Sequence, residues 1–271
     1  MNGSPRTTPA LEVRGLEVDF VQYERGLRRR TVPALTGMGL TAAAGELVAV
    51  VGASGAGKSL LAHAVLGLLP PNAVERGAVL HDGAELDAAG RRRLAGRDTV
   101  LIPQSVTFLN PLGTVGQHVR RAARIAGHAD PDAVAVEALG RRGLGREVMR
   151  QYPHELSGGM ARRVLVAMAT MGRPRLIIAD EPTTGLPSAS VLSTLRELRE
   201  NADAGCAVVL VTHALEAALR VADRVVICRD GATVGTAEPT AFHGDGNGLA
   251  PYPRALWQAL PRNGFRVPVG T

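Results

Sequence analysis

The chain has 271 residues, 45% of them hydrophobic, which is enough for one large domain or two small ones with a sizeable core and argues against disorder. Its 31 basic and 25 acidic residues leave a charge of +6, spread too evenly to mark a nucleic-acid partner, and 3% aromatics argue against a stacking platform for single strands. Two cysteines, Cys206 and Cys228, exclude a disulfide framework or a four-thiolate metal site and point to a cytoplasmic setting.

The first ten residues are polar and lack the charged-then-apolar order of a signal peptide, so they read as a flexible N-terminus. Leu11 to Phe20 alternates as a strand, with a phase slip at Gly15 that predicts a bulge. The charged stretch Tyr23 to Arg30 reads as a loop. Short β-like runs then lead to Glu46–Val51, whose apolar run between Gly45 and Gly52 has the pattern of a buried parallel strand. A glycine-rich turn follows, then a helix from Ser59 to Leu69 that stops before Pro70-Pro71. The region Leu47 to Leu69 is the most apolar, yet Gly52, Ser54, Gly55, Gly57, Lys58, Ser59 and His63 interrupt it, so no stretch is predicted to span a membrane.

Farther on, Gly77 to Leu86 predicts a hairpin turning at Asp82-Gly83, and Arg91-Arg92-Arg93 predicts a solvated helix face. Gly113 to Arg150 has helical spacing broken at Gly127 and at Ala129-Asp130-Pro131, the pattern of a small helical insertion. Helices are predicted over Met160 to Met171, Val191 to Ala204 and from beyond Val211 through Ala222. Strands are predicted over Leu176 to Ala179, Ala207 to Val211, Arg224 to Cys228 and Ala232 to Thr236. The tail from Ala241 carries one short helical stretch, Pro253 to Leu260. Strands alternating with helices indicate an α/β fold with a parallel sheet.

Gly52-Ala53-Ser54-Gly55-Ala56-Gly57-Lys58-Ser59 matches G-x-x-x-x-G-K-[ST] between a buried strand and a helix, as a phosphate-cradling loop requires. Its glycines let backbone N–H groups turn toward phosphates, and the helix directs its positive end at them. Lys58 would reach the β- and γ-phosphates, and Ser59 would ligate Mg²⁺. Of the 31 basic residues 30 are arginine, and Lys58 is the single lysine, which suggests a place too narrow for a guanidinium. The run Leu176-Ile177-Ile178-Ala179 puts Asp180 at the end of a strand, where a carboxylate can hold Mg²⁺, and Glu181 next to it can take a proton from water. Leu156-Ser157-Gly158-Gly159-Met160 stands before a helix as a second anion-binding cap, although alone it is an ordinary helix start.

The phosphate loop, Gln104, the signature Leu156 to Met160, Asp180-Glu181 and His213 follow the order found in ATP-binding subunits of ABC transporters, and from about Leu11 to Thr236 the chain resembles that family. Gln104 with Phe108-Leu109-Asn110-Pro111, Met160 and the tail Pro251 to Leu256 resemble the peptide and nickel importer branch. The resemblance implies a P-loop NTPase core with a parallel sheet, an N-terminal antiparallel β subdomain and an inserted helical subdomain over about 105–170. The nucleotide-binding domain would cover 11–240 and the tail 241–271. It further implies that Gln104 senses Mg²⁺ and the attacking water, that His213 meets the γ-phosphate and that Phe20, with Tyr23 as rival, stacks on adenine. Leu156, Ser157, Gly158 and Gly159 would close over the ATP of a second subunit.

The implied protein is an ATPase using ATP and Mg²⁺, peripheral on the inner face of the cell membrane. It would pair with a second, non-identical ATP-binding subunit and with permease subunits, and would serve a substrate-binding protein indirectly. The cargo would be a peptide, nickel or a metal chelate, and no nucleic acid is involved. Three departures stand out. Pro187 replaces the usual aspartate after Glu181-Pro182-Thr183-Thr184-Gly185-Leu186, Ala161-Arg162 replaces Arg-Gln, and Ala250 stands where the branch has histidine. Two alternatives stay open: a catalytically weak regulatory subunit, suggested by Pro187, and a non-transport ABC ATPase acting on ribosomes or DNA.

Overall fold

The computed structural model describes residues 8–23, 29–186 and 188–263. Outside the described residues lie most of the expected flexible N-terminus, the middle of the expected loop at 24–28, Pro187 and the end of the tail.

β1 (Leu11–Tyr23) and β2 (Arg29–Ala42) form a long antiparallel pair. Leu11, Val13, Leu16 and Val18 all reach the core because a bulge at Gly15, φ +51°, resets the alternation. The expected loop is shorter than its charge suggested, since Tyr23 pairs with Arg29 and Gln22 with Arg30. Ladder hydrogen bonds come from the backbone, so a polar segment can extend a hairpin that an apolar one has started.

β3 (Leu47–Val51) is buried throughout and leads through the glycine-rich turn into α1 (Lys58–Val65). That helix ends four residues before the expected Leu69. Gly67, at φ +68°, lets its own N–H reach Ala64 O and that of Leu68 reach His63 O, the paired bonds that close a helix C-terminus. β4 (Ala73–His81) and β5 (Ala84–Glu85) make the predicted hairpin, with Asp82 and Gly83 both at positive φ.

α2 (Ala88–Leu94) corrects the expected solvated arginine face. Arg92 and Arg93 are exposed, but Arg91 is only 3% exposed and its Nη2 lies 2.6 Å from Glu75 Oε2. After β6 (Thr99–Ile102) come α3 (Val115–Ile125), α4 (Pro131–Gly140) and α5 (Gly158–Thr170). These helices pack around Leu109, Val115, Val119, Leu139, Val164 and Leu165, a core of their own. Asp130 caps α4 ahead of Pro131, as the turn in the sequence indicated.

β7 (Leu176–Asp180), α6 (Ser188–Asp203) and β8 (Ala207–Thr212) follow. α7 (Leu215–Ala218) stops short of the expected Ala222, because Asp223 is drawn into the sheet: its N–H donates to Leu47 O and its carboxylate accepts from Leu47 N, both at 2.8 Å. β9 (Arg224–Arg229), β10 (Ala232–Ala237) and α8 (Pro251–Gln258) complete the described chain.

The strands join one ten-stranded sheet in the order β5-β4-β1-β2-β10-β9-β3-β8-β7-β6. β9, β3, β8, β7 and β6 run parallel and are covered on both faces, whereas β1, β2, β4 and β5 form an antiparallel wing. Both β3 and β7 therefore deliver their C-terminal ends to the same edge of the parallel sheet, where ligands of open α/β sheets bind. Among the described residues, no helix is long and apolar enough to cross a membrane.

Candidate active site

The turn after β3 owes its tight course to glycine. A Cβ on Gly52 would lie 2.2 Å from the Cys228 carbonyl oxygen, and Gly57 combines φ +86° with a Cβ position 2.4 Å from Leu35 Cδ2. Lys58 opens α1, yet its side chain folds back into the turn, 7% exposed, with Nζ donating to Gly52 O at 2.8 Å and Ala53 O at 2.9 Å. The ammonium thus sits inside a ring of backbone, and two carbonyls fix it there.

Ser59 Oγ donates to Asp180 Oδ1 at 3.0 Å, which joins the turn to the end of β7. Burial pushes the Asp180 carboxyl above its ordinary value; the Ser59 hydrogen bond opposes this, and the neighbouring Glu181 charge adds to it. A hydroxyl and a buried carboxylate side by side are hard oxygen donors that suit Mg²⁺. Among the described residues no group of three His, Cys, Asp or Glu could hold a metal, so an ion here would take its remaining oxygens from phosphate and water.

Glu181 follows at φ +46°, a left-handed conformation that is strained for a residue with a side chain and tends to persist at functional sites. Its carboxylate meets four donor groups. Oε1 accepts the His213 N–H at 2.9 Å and lies 2.8 Å from His213 Nδ1, while Oε2 accepts the hydroxyls of Thr184 at 3.2 Å and Thr212 at 3.3 Å. Thr184 and Thr212 carry no signature in the sequence that would have singled them out, because their role exists only where β7 and β8 end together.

A cavity of about 850 Å³ is lined by Ser54, Gly55, Gly57, Lys58, Ser59, Gln104, Glu181 and His213, so the structure brings these predicted residues together. Asp180 adjoins it through Ser59, and Gly52 lies beneath its floor through Lys58. Asp230 and Gly231, from the turn between β9 and β10, line it too and were not foreseen. Phe20 packs half-buried against the core, and Tyr23 lies exposed with the Arg29 guanidinium 5.6 Å from its ring centre; neither lines this cavity. Leu156, Ser157, Gly158 and Gly159 are also outside it. Ser157 caps α5 by accepting the Met160 N–H at 3.2 Å, and the space around Gly158 and Gly159 is open.

One residue behind the site stands out. Arg162, on α5, is 6% exposed, and its guanidinium reaches the carbonyl oxygens of Pro103, Gln104 and Glu181. Burial lowers its pKa from the ordinary arginine value.

Residues 35–184 match the model of a known family described as ABC transporter. The chain is 32% identical to the oligopeptide transport ATP-binding protein OppD of Haemophilus influenzae over 268 residues, 94% of this chain and 80% of that protein. It is 33% identical to the glutathione import ATP-binding protein GsiA of Escherichia coli over 277 residues, 94% of this chain but 42% of that protein's length. The fold is similar, with a TM-score of 0.72 and 26% identity, to the ATP-binding cassette MJ0796 in a dimeric post-hydrolysis state bound to ADP and Pi, over 84% of this chain and 98% of that one.

Proposed function

Because this chain belongs to the ABC transporter family, we propose that it is an ATP-hydrolysing subunit that powers import of short peptides or a peptide-like thiol such as glutathione through a separate permease. The single cavity that brings Lys58, Ser59 and Glu181 together is the observation that carries this reading. The cargo class rests on the similarity to ATP-binding proteins of oligopeptide transport and glutathione import.

In this reading the backbone N–H groups from Ser54 to Ser59 and the Lys58 ammonium hold the phosphates of ATP, with Lys58 exchanging its two carbonyl partners for phosphate oxygens. Ser59 and Asp180 hold Mg²⁺, which supplies neutralising charge on the phosphates. Glu181 orients water and takes its proton, and His213 steadies the Glu181 carboxylate while facing the terminal phosphate. Gln104, exposed at the cavity's rim, senses Mg²⁺ and the attacking water. Phe20 stacks on adenine beyond the phosphate pocket.

Leu156 to Gly159 close over the nucleotide of a second, non-identical subunit, a reading supported by the exposure of Ser157 and Gly158 and by the position of all four outside this chain's own cavity. The protein works at the inner face of the membrane beneath the permease. The test is direct: the full-length chain co-expressed with its permease should show ATP hydrolysis that depends on Mg²⁺, and vesicles holding the assembly should take up labelled peptide only with ATP. Hydrolysis without any permease association would favour a non-transport role.

A further inference from the structure

Arg162 lies one helical turn beyond Gly158, at the start of α5, and its charge is buried with no ion pair among the described residues. Nη2 donates to Gln104 O at 2.7 Å, and Nη1 lies 3.4 Å from both Pro103 O and Glu181 O. These oxygens belong to the segments that leave two neighbouring parallel strands, β6 and β7. A buried cation without a carboxylate is costly, and it persists when carbonyl dipoles surround it. The planar guanidinium offers donors on two terminal nitrogens at once, so one side chain reaches all three carbonyls in a fixed fork whose reach and shape a compact ammonium does not reproduce.

We propose that Arg162 is a positioning residue for ATP hydrolysis, fastening the segments that bear Gln104 and Glu181 to the signature end of α5 so that the three move as one body. The inference rests on the ATPase reading above. Glu181 has a strained backbone, and the hydrogen bond to its carbonyl helps to hold it. A displacement of the signature by a nucleotide held on a partner subunit would thereby reach Gln104 and Glu181 through one side chain.

The test uses the full-length chain with Arg162→Lys, which keeps the charge, and Arg162→Met, which keeps the stem. Nucleotide binding is measured by titration, hydrolysis by phosphate release, and backbone coupling by hydrogen exchange with and without ATP. Expected is a fall in kcat of at least about tenfold in both variants, with KM for ATP changed less than about threefold. In the wild type, ATP should protect the amides at Gln104 to Thr107 together with those at the start of α5; in both variants the Gln104 to Thr107 amides should exchange faster and lose that protection. A kcat within twofold of wild type in both variants, or unchanged exchange at Gln104 to Thr107, overturns the proposal. Wild-type protein that binds no ATP instead overturns the ATPase reading on which it stands.

Discussion

Glu181 and His213 form one hydrogen-bonded unit: Oε1 of the carboxylate lies 2.8 Å from the ring Nδ1 and accepts the His213 backbone N–H at 2.9 Å. The carboxylate is thus held in place by the end of a different strand from its own. Glu181→Gln keeps the shape and an oxygen for both His213 contacts, and its amide nitrogen can donate to the Thr184 and Thr212 hydroxyls. ATP binding should therefore stay near wild type while turnover falls by about 10² to 10⁴. Steady-state hydrolysis beside a binding titration checks this, and unchanged turnover would remove Glu181 as the base.

Lys58→Arg keeps the charge but not the size. Nζ sits within hydrogen-bonding distance of both Gly52 O and Ala53 O in a place that is 7% exposed, so a guanidinium has no room without opening the turn. The variant should bind ATP at least about tenfold more weakly, a loss of about 1.4 kcal/mol. Wild-type affinity by titration would show that the single lysine is only a bias of composition.

Gly52→Ala tests the floor of the turn. The added methyl would meet the Cys228 carbonyl oxygen at 2.2 Å, and neither backbone can yield cheaply. The variant should lose about 1–3 kcal/mol of stability, the usual cost of forcing an atom into a packed place. Denaturant unfolding of the two proteins gives the difference, and equal midpoints would contradict the close approach.

The two cysteines provide a pH test. Burial pushes the thiols of Cys206 and Cys228 up to about 11, with weaker hydrogen bonds opposing it. A raised value favours the neutral thiol in the fold, so this contribution to stability is complete below the ordinary thiol range near 9. It is then lost as pH climbs toward 11. At pH 8 a disulfide reagent should label neither thiol of the native protein, yet label both in denaturant. Rapid native labelling at pH 8 would show that these side chains are not enclosed.

Features encoded within a few residues of one another were the ones legible in the sequence. The phosphate-loop pattern, the Asp82-Gly83 turn and the bulge at Gly15 each depend on local backbone freedom, and each is found where it was expected. Arg91 was misjudged because its partner Glu75 belongs to a strand whose register is tertiary. Arg162 could be noted as an unusual residue, but its acceptors are backbone carbonyls, and every residue has one of those. The helix beyond Thr212 was overestimated because composition does not show that Asp223 is drawn back to Leu47.

The sheet order has a consequence for synthesis. β3, which carries the phosphate loop, is flanked by β8 and β9, strands that begin at Ala207 and Arg224. A ribosome will therefore have made more than 150 further residues before the strand at Leu47–Val51 finds either neighbour. Until then the glycine-rich turn has neither its floor at Cys228 nor the carboxylate at Asp180 in register beside it. The frame around the turn is consequently absent until β8 and β9 have been made, and it then forms in one stage as the parallel core closes.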